Sequence, residues 1–329
     1  MPLRFSRSVY LSISLGVVYG VALRVLMGFN LDWLTGVNVQ LLEGVVSVSF
    51  FVIVPIVIGF ITIYFGKPER GSSLLYAIFV PWVAIGCFLL TTMVLLLEGS
   101  VCVVLALPGF LLLSSLGGLA AAWITRLRLP RAGTLCSVLA LPLLISPIER
   151  TIPVEPFTET VMNRLEISAP PNVVWAQISD VGLISNDELA FGLTRLLGVP
   201  QPLEAHMELT ESGWVRNTRW EQGISFRERI TDSREGEFLL WQFDFPPSAV
   251  PEGVLDEHVQ IGGRHFELLD GGYTLEPGPD GTTYLEIRTS YRVTARPAIY
   301  SRYWANLIMS DFHRVILDLI RDRSERVAG

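Results

Sequence analysis

Cysteine is scarce in this sequence, and the second half has none. The chain of 329 residues contains 3 cysteines, at Cys87, Cys102 and Cys136. A domain built from the residues beyond 150 therefore has no disulfide, no thiolate nucleophile and no cysteine-based metal site. Enzyme classes that depend on a reactive cysteine are excluded for that half, whichever compartment it occupies.

Positive charge is outnumbered by negative charge after Ile148. Up to that residue the chain carries 8 Lys+Arg against 4 Asp+Glu, and the remainder carries 17 against 28, a net charge of −11. Binding to nucleic acid rests on basic side chains that neutralise phosphates. The acidic second half is therefore a poor candidate for DNA or RNA, and no nucleic-acid partner is expected.

Motifs for nucleotide binding, hydrolysis and metal binding are missing as well. No GxSxG, Walker loop or GxGxxG in a strand context occurs, so serine hydrolase, NTPase and dinucleotide-dependent activities have no support. The four histidines, His206, His258, His265 and His313, show no HExxH or two-His-one-carboxylate spacing. We expect no metal and no cofactor.

The first half has long apolar runs instead. Four are long enough to cross roughly 30 Å of hydrocarbon as helices: Val9–Met27, Gly44–Phe65, Ser73–Leu97 and Val101–Ile124. A fifth, Ala132–Ile148, is uncharged but short and carries two prolines, so it either spans or lies at the interface. Residues 1–150 are thus predicted to form an all-α transmembrane bundle of four to five helices. No Asp, Glu, Lys or His lies at a predicted membrane centre, which favours an anchor, or a docking platform for an unknown membrane-protein partner, over a transporter.

Charges in the short loops predict the orientation. The basic residues Arg4, Arg7, Lys67, Arg70, Arg126, Arg128 and Arg131 fall on one side, and the intervening loops carry Asp32, Glu43 and Glu98. By the positive-inside rule the N-terminus is cytoplasmic, in a multi-pass protein of the cytoplasmic (inner) membrane. If Ala132–Ile148 spans, the second half lies outside the cytoplasm, which we favour. If that segment is interfacial, the second half is cytoplasmic.

The stretch Arg164–Asp180 marks the change to a water-soluble domain at residues 151–329. Its first residues alternate as in a half-buried strand, and the Ala169-Pro170-Pro171 corner then leads into a short helix with an apolar side. A second short helix is predicted at Asn186–Leu197. Strands follow, punctuated by glycines: Ala205–Thr210, Trp214–Trp220, Ile224–Thr231, Phe238–Phe245, His265–Glu276 and Thr283–Val293.

A long helix closes the chain, at about Pro297–Arg323. Its apolar side advances in steps of three or four residues, through Tyr300, Trp304, Ile308, Phe312, Val315 and Leu319. The order is strand, two helices, six-strand meander and long helix.

That order, headed by IxAPxxVWxxIxD, resembles the SRPBCC or START-like superfamily, and most of all its membrane-anchored polyketide-cyclase-like members. The matching positions are Ile167, Ala169, Pro170, Val174, Trp175, Ile178, Asp180, Gly213, Arg216, Trp220, Gly223, Glu228, Gly272, Tyr273, Leu275, Gly281, Thr282 and Leu285. The resemblance implies an α+β helix-grip fold, in which a seven-stranded curved antiparallel sheet wraps the C-terminal helix. It also implies a cavity between sheet and helix, in a superfamily of lipid carriers, receptors, cyclases and oxygenase subunits.

Two opposite charges on an apolar strand face give the sharpest site hypothesis. If Glu221-Gln222-Gly223 forms a hairpin loop, Arg216 lies opposite Glu228. Because either charge buried alone would be expensive, the two should pair. A structural ion pair competes here with an anion-binding Arg216 or a general base at Glu228. The predicted ligand-binding set is Arg216, Trp220, Glu228, Trp241, Phe243, Tyr291, Trp304 and Ile308.

We interpret the second half as a domain that binds a hydrophobic small molecule, such as a lipid, isoprenoid or polyketide-like compound. One alternative is a cyclase or dehydratase with Glu228, His258 or Tyr291 as the acid–base candidate, although binding is favoured over catalysis. Another is a regulatory or structural interaction module. The Pro246–Gly263 loop is predicted to be a lid or rim, and His313 and Trp175 are expected to have packing roles.

Overall fold

The computed structural model describes residues 7–28, 47–66, 73–126, 131–211, 213–255 and 260–329. By its internal contacts the chain divides into two compact units. The first is Met1–Val154 with Ala295–Pro297, and the second is Glu155–Thr294 with Ala298–Gly329.

The described part of the first unit is helical. Its helices are α1 (Arg7–Gly28), a π-helical segment Ser49–Ile53 that continues into α2 (Val54–Phe65), α3 (Leu74–Val94), α4 (Ser100–Arg126) and α5 (Arg131–Arg150). Among the described residues, three helices are long and apolar enough to cross a membrane: Arg7–Met27, Leu74–Val94 and Ser100–Arg126. Ser49–Phe65 and Leu135–Glu149 are apolar but shorter. The predicted count of four to five spans and the orientation therefore stay predictions, and the start of the predicted span at Gly44 lies outside the described residues.

Glycines allow the helices of this unit to approach closely. A Cβ atom on Gly59 of α2 would lie 2.0 Å from the backbone oxygen of Ser114 in α4. One on Gly117 of α4 would lie 1.8 Å from the backbone oxygen of Ile56. Small residues have this role where helices pack without a hydrophobic driving force between them. α2 and α4 are thus in backbone contact, which no larger residue at these two positions would permit.

Ionisable groups at the ends of these helices are paired. Arg24 on α1 forms an ion pair with Glu98 and donates to the carbonyl of Leu97 at 2.9 Å. The carboxylate of Glu149, in the last turn of α5, accepts from the backbone N–H of Ser49 at 2.9 Å and pairs with Arg296 at 3.3 Å. Arg24 and Glu149 each lie near a helix end and have an oppositely charged partner, so neither is an isolated charge in an apolar environment.

The second unit is built on one antiparallel sheet. Its elements are β1 (Phe157–Ile167), α6 (Pro171–Ser179), α7 (Leu193–Leu196), β2 (Pro202–Thr210), β3 (Gly213–Trp220), β4 (Ser225–Arg234), β5 (Phe238–Asp244), β6 (Phe266–Pro277), β7 (Thr283–Val293) and α8 (Ala298–Ala328). The seven strands lie in the order β1-β7-β6-β5-β4-β3-β2. Seven antiparallel strands followed by one long C-terminal helix is the helix-grip arrangement that the sequence predicts.

Two predicted elements differ most from the structure. The first strand begins at Phe157, earlier than predicted, because β1 pairs with the whole of β7 from Val293 to Thr283. The helix predicted at Asn186–Leu197 is wrong for all but its last turn. Side chains fix the irregular segment instead, since Glu188 accepts from the N–H of Ser185 and is held by Arg323.

The core of this unit lies where α6 and the second half of α8 cover the sheet. Its fully buried members come from distant parts of the chain: Ile167, Ala169, Val174, Ile178, Leu239, Trp241, Tyr273, Leu275, Leu285, Ile287, Leu317 and Ile320. The partly buried Trp175 packs against this cluster, as expected of a packing residue. The inward face of β7 consists of alternate residues, as the sequence pattern predicts. All five are buried: Leu285, Ile287, Thr289, Tyr291 and Val293.

Candidate functional site

Arg216 and Glu228 meet in the interior as predicted. They are directly paired residues of β3 and β4, because the hairpin at Glu221–Gly223 places Gln222 and Gly223 at positive φ and aligns the strands. The guanidinium Nε donates to the Glu228 carboxylate, and another nitrogen donates to the carbonyl of Ile178 at 2.8 Å. Both side chains are almost fully buried, with 4% and 8% exposed.

Aromatic rings complete the surroundings of this pair. The guanidinium of Arg216 lies over the Trp241 ring at 4.5 Å and near the Tyr273 ring at 5.8 Å. Burial acts to lower the pKa of Arg216, but the charge of Glu228, the effect of Tyr273 and the hydrogen bond to Glu228 together outweigh burial, and the pKa is raised. Burial also raises the pKa of Glu228, against the opposing effect of Arg216. These contacts favour the structural ion pair over a free anion-binding arginine or a free general base.

Trp241 has a buried polar atom that the fold leaves unused. Its side chain lies over Gly271, where an added Cβ would be 2.7 Å from the ring, so only glycine fits there. The residue is 3% exposed, and its indole N–H has no hydrogen-bond partner among the described residues. A buried N–H usually finds a partner. The indole N–H of Trp241 is therefore an exception that calls for an explanation.

A row of aromatic rings leads from Trp241 across the interior to α8. Successive ring centroids are 6.1 Å apart for Trp241–Phe243, 6.0 Å for Phe243–Phe226, 5.6 Å for Phe226–Trp220 and 5.1 Å for Trp220–Phe312. Phe312 is on α8, so this aromatic row connects the sheet to the helix. The predicted residues Trp220, Trp241 and Phe243 are therefore brought together, and Phe226 and Phe312 join them.

The described parts of the Pro246–Gly263 loop pack against one end of the aromatic row. Ala249 and Val250 are buried beside Trp220, Ile224 and Phe226, and the carbonyl of Ala249 accepts from the N–H of Ser225 at 2.8 Å. The described parts of the loop thus cover these rings, and a role as a lid or rim stays a prediction. His258, a candidate acid–base residue, lies outside the described residues.

Tyr291 belongs to a separate polar group. Its hydroxyl donates to the side-chain oxygen of Asn306 on α8 at 2.9 Å, and the Asn306 amide donates to Glu159 at 2.8 Å. Glu159 in turn pairs with Arg302 at 2.8 Å. Burial, with a smaller effect of Glu159, raises the pKa of Tyr291 to about 12. Tyr291 is therefore a neutral hydroxyl that positions α8 against β7 and β1.

The two predicted ligand residues on the first half of α8 are partly buried. Trp304 lies between Tyr300 and Tyr303, with ring centroids 6.4 Å and 5.9 Å away. Its indole N–H is shielded from solvent and has no hydrogen-bond partner among the described residues. Ile308 lies one turn further along the same side of the helix. Trp304 thus offers a second unused donor.

His313 is the buried polar residue whose contacts the sequence did not reveal. It is 0% exposed, with its ring nitrogens 2.8 Å from the hydroxyl of Thr289 and 3.0 Å from the amide oxygen of Asn163. Burial lowers the pKa of His313 to about 4, so the ring is neutral and links α8 to β7 and β1. The only sequence signal was its position beside the apolar side of the helix.

The other described histidines lie apart. His206 is exposed and contacts Asp180, and His265 contacts the carbonyl of Thr294. Within the described ranges, no group of three His, Cys, Asp or Glu side chains has the arrangement of a metal site.

Comparison with known proteins gives no close relative. No family model matches the chain, and no curated protein matches its sequence. Several solved structures are similar over about half of it. Norcoclaurine synthase from Thalictrum flavum is 17% identical with a TM-score of 0.31, covering 54% of this chain and 97% of that one. A protein of unknown function from Staphylococcus aureus is 11% identical with a TM-score of 0.33, covering 52% and 96%. These values are too low to transfer an activity or a ligand.

Proposed function

We propose that this chain binds a hydrophobic small molecule inside its helix-grip domain, between the sheet and α8, while its apolar helices hold it in a membrane. The compound would be a lipid, an isoprenoid or a polyketide-like molecule with one or two hydrogen-bond acceptors. The observation that carries the proposal is the pair of unused indole donors, on Trp241 in the sheet and Trp304 on α8.

Burying a donor without a partner costs about 1–3 kcal/mol, so two such groups among the described residues of this domain call for an explanation. A ligand whose carbonyl or hydroxyl oxygen accepts from either indole would recover that cost. The aromatic row from Trp241 to Phe312 would supply the apolar contacts. Pockets for largely apolar ligands usually combine an apolar lining with a few polar groups that set the orientation of the ligand.

Catalysis is less well supported by these contacts. Glu228 is held by Arg216, and Tyr291 donates to Asn306 and has a raised pKa, so neither is a free acid or base near neutral pH. General acid–base catalysis requires a group whose pKa lies near the working pH. The described residues therefore favour binding over a cyclase or dehydratase activity.

The test is native mass spectrometry and solvent extraction of the full chain purified in detergent. We expect a co-purifying hydrophobic compound in the wild type. Trp304→Phe should reduce the amount retained, because it removes the donor while keeping most of the ring. Trp175→Phe is the matched control, since Trp175 packs against the core cluster on α6. Equal retention by both variants would exclude the role of Trp304. Recovery of no compound from the wild type would contradict binding and favour an interaction module.

A further inference from the structure

The first third of α8 exposes an apolar stripe. Ile299, Tyr303 and Leu307 are 85%, 62% and 38% exposed. They follow one another at intervals of four residues, so they lie along one side of the helix. We call these three residues the α8 stripe.

The rest of α8, as far as Arg326, exposes no large apolar side chain. Beyond Leu307, the exposed positions as far as Arg326 are Arg314, Asp322 and Arg326 itself, all charged. The apolar residues Met309, Val315 and Leu319 on the same stretch are buried. The exposed apolar surface is therefore concentrated at the start of the helix, where a solvated surface would be expected to be polar.

The position of the stripe in the chain points to its partner. Ala295–Pro297, immediately before α8, belong by their contacts to the first unit. Within that unit, Arg296 donates to the backbone oxygen of Glu149 at 3.0 Å, and Glu149 ends the apolar helix Leu135–Glu149. Ile299 is three residues after Arg296 in the chain. The chain thus enters α8 directly after a residue that is bonded to the end of an apolar helix of the first unit.

The composition of this turn is that of a membrane interface. Tyr300, Tyr303 and Trp304 form one group of rings, with centroids about 6 Å apart. Arg302 between them is half exposed, with its charge paired to Glu159. Tyrosine and tryptophan are enriched where hydrocarbon meets lipid headgroups.

We propose that the α8 stripe lies in the headgroup region of the same bilayer that holds the apolar helices of the first unit. The partner is the lipid surface, and the contact does not depend on whether the domain binds a small molecule. It would hold the first half of α8, including Trp304, at the membrane.

The experiment uses the full chain in lipid vesicles, with Cys87, Cys102 and Cys136 replaced by serine. Single cysteines introduced by Ile299→Cys and Tyr303→Cys carry an environment-sensitive fluorophore. Leu209→Cys is the control, because Leu209 is apolar and 65% exposed at the β2–β3 hairpin. The vesicles contain phosphatidylcholine with a nitroxide on the upper acyl chain, and iodide is the aqueous quencher.

We expect blue-shifted emission at positions 299 and 303, with strong quenching by the lipid nitroxide and weak quenching by iodide. The label at 209 should show the opposite. If positions 299 and 303 behave like 209, the stripe faces water and the proposal is wrong. Protection from iodide without quenching by the lipid nitroxide would also overturn it, since the cover would then be protein. Either result can occur while a small molecule still co-purifies, so the experiment is independent of the binding proposal.

Discussion

Removal of one partner from the Arg216–Glu228 pair should destabilise the helix-grip domain far more than removal of both. In Glu228→Leu, the guanidinium of Arg216 keeps the carbonyl of Ile178 and the rings of Trp241 and Tyr273 as favourable contacts but has no counter-charge. Arginine cannot lose its proton at accessible pH. An uncompensated buried charge of this kind costs about 3–5 kcal/mol, of which a desolvated cation–π contact offsets about 2 kcal/mol.

Arg216→Met should behave differently because a carboxylate can take up a proton. Burial already raises the pKa of Glu228, and the loss of Arg216 removes the group that opposes this effect. A group whose pKa is raised in the folded state is most favourable at low pH, and its contribution is lost as the pH rises through the folded pKa. The Arg216→Met variant should therefore be closer to wild type at pH 5 than at pH 8, and Glu228→Leu should not show this difference.

The double variant Arg216→Met, Glu228→Leu should be within about 1 kcal/mol of wild type, or more stable, because no buried charge remains. The exposed pair Arg164–Glu276 has a similarly close contact of 2.6 Å with side chains 45% and 58% exposed, and serves as the control. Removing either of its partners should cost less than about 1 kcal/mol.

The free energy of unfolding can be measured by hydrogen exchange of the full chain in detergent, at the slowest amides of β3 and β4. Two results would refute the reasoning. Single substitutions that each cost less than about 1 kcal/mol would mean that the pair is hydrated. A double variant whose cost equals the sum of the two single costs would mean that the residues do not interact.

Two further predictions concern other parts of the chain. Because His313 is buried and neutral with a pKa of about 4, the unfolded chain binds a proton that the folded chain does not. The contribution of His313 to the free energy of unfolding should be fully present above about pH 6.5 and fall by up to about 3 kcal/mol towards pH 4. The His313→Gln variant should lack this pH dependence when the free energy is measured by hydrogen exchange. In the first unit, Gly59→Ala places a Cβ against the backbone of Ser114 and should cost about 1–3 kcal/mol in thermal unfolding. Gly86→Ala, where a Cβ meets nothing within 4 Å, should be neutral or stabilising, and equal effects would contradict the close packing of α2 on α4.

The strand pattern of the second half could be predicted closely because strands leave a local signal. Alternation and glycine turns placed β3 to β7 within a few residues of their observed bounds. The helix predicted at Asn186–Leu197 failed because Glu188 bonds to Arg323, which is far away in sequence. The same limit applies to the first unit, where apolar length alone predicts a helix but cannot show how it packs.

The site shows the same division. The sequence alone determined that Arg216 faces Glu228, because a three-residue hairpin fixes the register by counting along two adjacent strands. It also determined the apolar side of β7 and the long amphipathic helix, which follow from local periodicity. Only the tertiary structure decided that Ile178 accepts from Arg216, that Thr289 and Asn163 enclose His313, and that Ile299, Tyr303 and Leu307 of α8 are exposed. These contacts join residues that are 24 to 150 positions apart in the chain, and no local pattern specifies which distant groups meet once the sheet and helix have packed.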